Sequence, residues 1–198
     1  MTKKRVAILI SGRGSNMRAL IEAARDPDYP AQVVLVVSNR PDAAGLDVAR
    51  AAGVEAIAID HKPYGRDRAA HEAAIQRALI ERNVDLVCLA GYMRLLTPYL
   101  VGEWAGRMLN IHPSLLPAFP GVDTHARALA AHVPEHGCTV HLVTEVMDDG
   151  PIVDQARIPV LEDDDEGTLA ARVLEQEHIL YPKALRALIE NQRPEINR

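Results

Sequence analysis

Cysteine is scarce: the 198 residues hold two, Cys88 and Cys138, with no CxxC spacing. A disulfide framework is therefore excluded and a zinc site is not expected; two buried free thiols in a cytoplasmic protein fit their apolar surroundings. Long apolar runs are missing as well. None approaches membrane-spanning length, and the opening MTKKR leads straight into a short strand pattern instead of the apolar core of a signal peptide, which argues against a membrane partner. Positive charge is in deficit, with 22 Lys and Arg against 27 Asp and Glu, a net charge of −5 and no basic run. Nucleic acid is thus an unsuitable partner, and an anionic ligand must be attracted by local groups. Internal repeats, low-complexity linkers and compositional boundaries are also lacking.

What is present is an ordinary globular balance, 48% hydrophobic and 25% charged, enough for one sizeable core. Short β-branched segments at Arg5–Ile10, Val33–Val37, Ala56–Ile59 and Leu86–Ala90 alternate with helix-like stretches at Ser15–Arg25, Ala43–Ala52 and Gly65–Glu81. Strand, helix, strand at this spacing predicts an α/β fold, a doubly wound, mostly parallel sheet with a Rossmann-like N-terminal half. The second half differs. Arg107–Ile111, Cys138–Thr144 and Ile152–Ile158 read as strands, and the turn Asp148-Asp149-Gly150-Pro151 predicts an antiparallel hairpin from the last two. A long final helix is expected over Thr168–Ile189, kinked at Pro182. One domain, 1–198, is expected, with halves at about 1–105 and 106–198.

ISGRGSNMRAL, residues 10–20, follows the first strand and opens the first helix. Gly12 and Gly14 permit a tight turn, and Ser15 and Asn16 add side-chain donors to the free N–H groups of a helix N-terminus, an anion site by construction. Met17 replaces the third glycine of the dinucleotide fingerprint, and Val37-Ser38-Asn39-Arg40 supplies no acidic residue for an NAD ribose, although Arg40 leaves NADP open. A phosphate-bearing ligand is favoured over a plain capped turn, and a whole dinucleotide ranks behind both.

LNIHPSLLPAFPG, residues 109–121, sets Asn110 and His112 two apart, hence on one face of a strand, ahead of an exit stiffened by Pro113, Pro117 and Pro120. Each polar residue alone reads as a satisfied core or capping group. Together at a parallel strand's carboxyl end, where such folds bind ligands, they suit stabilisation of a developing oxyanion; no serine or cysteine nucleophile accompanies them. A third, proton-carrying group is needed. Asp148 is the candidate, since a carboxylate beside an imidazole favours the charged ring; the plain alternative is a hairpin-turn aspartate pair, Asp148 and Asp149.

SGRGSN, LAGYMRLLTP, NIHPSLLPAFPG, the D-x-G-P turn and EQEHILYP together resemble the phosphoribosylglycinamide formyltransferases, the glycinamide ribonucleotide branch of the folate-dependent formyltransferases, from about Val6 to Tyr181. That resemblance implies formyl transfer from 10-formyltetrahydrofolate, a co-substrate, to the amine of glycinamide ribonucleotide in purine biosynthesis, without a metal. It implies Asn110, His112 and Asp148 as the catalytic trio and a phosphate-binding N-terminal half with Gly14, Ser15 and Asn16 on the sugar phosphate. Glu177 would hold ribose hydroxyls, although by pattern it is a solvated helix-face carboxylate. The C-terminal half would be catalytic and folate-binding; Met93, Arg94, Leu95, Leu96, Asn110 and Val143 would meet the folate and Arg68 its glutamate tail, with Arg66 a competitor for the tail. A homodimer is left open. The rivals are formyltetrahydrofolate deformylase, which normally carries an added N-terminal domain and lacks SGxGSN, then methionyl-tRNA formyltransferase, and, from another class, a non-catalytic nucleotide-phosphate binding module.

Overall fold

A computed structural model describes residues 2–191. Seven strands form one sheet in the order β3-β2-β1-β4-β5-β6-β7: β1 (Lys4–Ile10), β2 (Ala31–Ser38), β3 (Ala56–Ala58), β4 (Leu86–Leu89), β5 (Met108–His112), β6 (Glu135–Leu142) and β7 (Ile152–Pro159). Strands β1 to β5 are parallel to one another, and β6 and β7 are antiparallel. The expected doubly wound, mostly parallel sheet with a C-terminal hairpin is what forms. Six helices connect and cover it: α1 (Ser15–Ala24), α2 (Gly45–Ala51), α3 (Arg68–Glu81), α4 (Pro98–Glu103), α5 (Thr124–Ala130) and α6 (Glu166–Asn191).

Alternation along the buried strands divides the core. Val6, Ile8 and Ile10 join Met17 and Leu20 of α1 and Val173, Leu180 and Tyr181 of α6 on one face. Ala7 and Leu9 join Ile75 and Leu79 of α3 and Leu100 and Trp104 on the other. The same period places Leu109 and Ile111 in the first cluster and Met108 in the second, so Asn110 and His112 lie on the α3 and α4 side, as their spacing predicts. The buried Tyr181 hydroxyl, 3.0 Å from the Leu89 carbonyl and 3.2 Å from that of Leu109, ties α6 to the ends of β4 and β5. Both thiols are free and buried, and desolvation pushes each up to about 12.

Several boundaries differ from expectation for local reasons. Helix α3 begins at Arg68 and not at Gly65, because Gly65 adopts φ 55° and the Asp67 carboxylate caps the helix by accepting from Ala70 N–H. Strand β6 starts at Glu135, opposite Pro159 of β7, and ends at Leu142, where Leu142 N–H donates to Pro151 carbonyl. Val143 and Thr144, expected in that strand, therefore belong to the connection. Helix α6 runs through Pro182. Helices α4 and α5, six and seven residues long, are too short for apolar periodicity to announce.

The order of the strands reverses between β1 and β4, which opens a crevice at their carboxyl ends. The glycine turn after β1, residues 91–97 after β4 and His112 at the end of β5 all meet there. Residues 143–151 leave β6 near the start of β5 yet double back, so that Asp148 ends beside His112.

Candidate active site

A cleft of about 790 Å³ is lined by Asn110, His112, His141 and Asp148, by Asn16 and Glu177 at one end, and by Met93 to Leu96 and Val143 at the other. Asp148 Oδ2 lies 3.5 Å from His112 Nδ1 and accepts from Gly121 N–H at 2.8 Å. The other ring nitrogen, Nε2, is 3.0 Å from the Phe119 carbonyl. A carbonyl only accepts, so Nε2 carries hydrogen, and Nδ1 is the ring nitrogen that faces Asp148. Phe119 and Asp148 are both left-handed, with φ 54° and 55°, and Asp148 sits where aspartate tolerates this conformation better than most residues. The stiffened exit thus has a specific use: it bends to bring a carbonyl onto the back of the histidine.

His141 escaped the sequence reading. It is opposite Asn110 in the β5–β6 register, and Asn110 Nδ2 is 3.2 Å from its Nε2. His141 Nδ1, 3.0 Å from the Leu142 carbonyl, must be the donor, so Nε2 accepts from the Asn110 amide. Burial holds His141 below the usual imidazole range, which agrees with a neutral ring. One Asn110 hydrogen is thereby fixed and the amide oriented, leaving its second hydrogen for the cleft. The available signal was an imidazole in the TVHLV strand, but only the hairpin register pairs it with Asn110.

A second histidine pair lies behind the exit loop: His136 Nε2 is 3.2 Å from His125 Nδ1, and Phe119 packs edge-on against His136. Burial, reinforced by His125, lowers His136 to about 4, and burial lowers His125 as well. The folded chain therefore holds these rings neutral while the unfolded chain protonates near 6.5. Stability present above that pH should drain away as pH falls from about 6.5 towards 4. Melting temperatures at pH 7 and pH 5 test this: the gap should narrow in His136→Gln, and an unchanged gap would clear His136 of responsibility.

At the other end, Gly14 adopts φ 71° and no side chain caps α1, so its first N–H groups face outward beside Ser15. Gly14 and Ser15 stand just outside the lining of the main cleft, and Asn16 stands within it. Glu177 is buried, not solvated as its helix pattern suggests; Asn16 Nδ2 donates to it at 2.6 Å. Burial raises its carboxyl above the usual range. Asn16 Oδ1 has no partner, so this corner offers acceptors that need hydroxyl or N–H donors. Arg40, which left NADP open, is held by Asp42 at 2.7 Å, a poor arrangement for another phosphate.

Tyr92 to Leu96 form one wall, with Met93 and Leu95 strongly exposed. Arg68 is outside the cleft lining but reaches this wall, its Nη1 3.4 Å from the Leu95 carbonyl. Arg66 makes no such contact with it. Among the described residues, no group of three His, Cys, Asp or Glu is arranged to hold a metal ion. No helix of the described residues is long and apolar enough to cross a membrane.

An amide, an imidazole and a carboxylate converging on one cleft, at the carboxyl ends of a doubly wound sheet, are the equipment of a group-transfer enzyme. The model of the formyl transferase family matches residues 4–185. A phosphoribosylglycinamide formyltransferase of Escherichia coli is 43% identical over 89% of this chain and 83% of that protein. A solved phosphoribosylglycinamide formyltransferase from Brucella melitensis superimposes with a TM-score of 0.90, at 50% identity, over 100% of both chains. The chain belongs to the formyl transferase family, in its phosphoribosylglycinamide formyltransferase branch. A trifunctional purine biosynthetic protein of Drosophila melanogaster is 49% identical over 94% of this chain, but the chain spans only 14% of that much longer relative.

Proposed function

We propose that the chain transfers the formyl group of 10-formyltetrahydrofolate to the amino group of N1-(5-phosphoribosyl)glycinamide, as a step of purine biosynthesis in the cytoplasm. The products are tetrahydrofolate and formylglycinamide ribonucleotide. The observation carrying this reading is the convergence of Asn110, His112 and Asp148 in a cleft that also reaches Asn16 and Glu177. A binding module for nucleotide phosphate has no use for that trio.

In this reading the amine attacks the formyl carbon directly. The free Asn110 hydrogen and His112 Nδ1–H donate to the oxyanion of the tetrahedral intermediate. The attacking nitrogen, an α-amino group of pKa about 7.7–8.0 before attack, becomes acidic as its bond to carbon forms. Asp148 takes up that proton, directly or through His112, and it is relayed to N10 of the folate, which leaves protonated as the C–N10 bond breaks. The phosphate lies on the α1 N-terminus with Gly14, Ser15 and Asn16; the ribose hydroxyls meet Glu177 and the unpartnered Asn16 oxygen. Met93, Leu96 and Val143 wall the pterin, backbone groups of Arg94 and Leu96 read its amide edge, Leu95 lies in the same segment, and Arg68 takes the glutamate tail. Residues about 1–105 and 106–198 act as one formyltransferase domain, the former binding phosphate and the latter holding the catalytic groups; 192–198 lie outside the described residues. The partners are thus small molecules, with neither nucleic acid nor membrane involved, and both a monomer and a homodimer are compatible with a cleft built from one chain.

Tetrahydrofolate release measured with and without the ribonucleotide tests the assignment. Release should require the ribonucleotide. Release that ignores it would identify a deformylase, and none from folded protein would favour the binding module.

A further inference from the structure

Helix α3 presents Arg68, Glu72 and Gln76 at intervals of four, hence along one stripe. Each turn of the stripe grips the segment that begins in the cleft wall. Arg68 donates to the Leu95 carbonyl, and the Glu72 carboxylate accepts from Thr97 N–H at 2.8 Å with one oxygen and from the Thr97 hydroxyl with the other. Gln76 accepts from Trp104 Nε1 at 2.6 Å and donates to Glu103 at 3.1 Å, at the far end of α4. Glu72 is 2% exposed and is absent from the cleft lining.

Tyr92 and Leu96 pack against the second core cluster, but the middle of the wall has little packing to hold it. Met93 and Leu95 are 72% and 58% exposed, and Gly91 enters the segment at φ 72°, a conformation open to glycine. Its near end is pinned where Met93 N–H donates to Ser11 Oγ at 2.8 Å, and its far end is pinned at Glu72. A carboxylate takes the two donors with one charged oxygen each; glutamine has a single acceptor oxygen and no charge, so even if the Thr97 hydroxyl turns to accept from its NH₂ both hydrogen bonds lose their charge assistance.

We propose that Glu72 is a positioning residue, which touches no substrate but fixes the 92–97 wall through Thr97 and so sets affinity for the folate rather than the rate of formyl transfer. The inference rests on the assignment of that wall to the folate. Losing a charge-assisted hydrogen bond is worth a factor of about ten or more in an equilibrium. Glu72→Gln should therefore raise KM for 10-formyltetrahydrofolate about tenfold, leaving kcat and KM for the ribonucleotide near their parent values. Thr97→Val, which removes one donor from the other side, should shift the same constant in the same direction by less, and Thr97→Ser, which retains both donors, should behave as the parent. Hydrogen exchange supplies a readout independent of activity: amides of 92–97 should exchange faster in Glu72→Gln while those of β4 do not. Unchanged folate KM and exchange in Glu72→Gln, or an equal loss in kcat and both KM values, would overturn the proposal. If Glu72→Gln does not fold, Thr97→Val decides on the same criteria. A parent protein that releases no tetrahydrofolate would instead count against the proposed function, and the exchange measurement would still judge the role of Glu72.

Discussion

Asp148→Asn is expected to reduce kcat by a factor on the order of 10³–10⁴, while the ribonucleotide still binds. The substitution is a clean one. Asparagine tolerates the φ of 55° at this position, and its amide oxygen can still accept from Gly121 N–H. What disappears is the charge 3.5 Å from His112 Nδ1, with the acceptor that takes the amine's proton in the proposed mechanism. An NH₂ in its place faces a second donor whenever the ring is protonated. The loss should exceed the roughly 10²–10³ expected from removing a single oxyanion donor, because the proposed mechanism routes the proton transfer through this carboxylate as well. The corner at Asn16 and Glu177, proposed to hold the ribonucleotide, is built from α1 and α6, away from the connection that carries Asp148. Single-turnover kinetics with a parallel ribonucleotide titration check the result; near-parental turnover would remove Asp148 from the catalytic trio.

The second large effect comes from a residue with no side chain. A Cβ on Gly150 would stand 1.7 Å from the Leu142 carbonyl oxygen and 2.9 Å from its carbon. Both are backbone atoms at the neck of the 143–151 connection, where Leu142 N–H also donates to Pro151. Neither can swing aside as a flexible side chain would, so Gly150→Ala must push the neck apart. Overpacking of this kind costs about 1–3 kcal/mol or more. Asp148, two residues away, moves with the neck, and a displacement of about 1 Å at a catalytic group costs on the order of 10²-fold. The variant should melt lower and turn over at least about a hundredfold slower than the parent. Parental melting and parental kcat together would show that the neck yields freely and does not aim Asp148.

These predictions rest on different levels of the sequence. Val6, Ile8 and Ile10 alternating with Ala7 and Leu9 were enough to expect a strand buried on both faces, because a period of two is local. Asn110 and His112 were legible for the same reason. Gly14 and the uncapped α1 were legible from glycine's steric freedom at a strand-to-helix turn. Short helices and exact strand ends were not, since Asp67 and Gly65 decide where α3 begins and the return of the chain at Gly150-Pro151 decides where β6 ends.

The amino-acid order alone therefore determined the doubly wound architecture, the glycine turn that opens α1 and the two polar side chains at the end of β5, all consequences of side-chain period and backbone sterics over a few residues. Only the tertiary structure decided that the 143–151 connection doubles back to set Asp148 against His112 Nδ1, that His141 takes one hydrogen of Asn110, and that Glu177 is buried against Asn16 across 161 residues of chain. Those contacts depend on strand register and on which helix covers which face, quantities set by burial of the whole core and written in no local stretch of sequence.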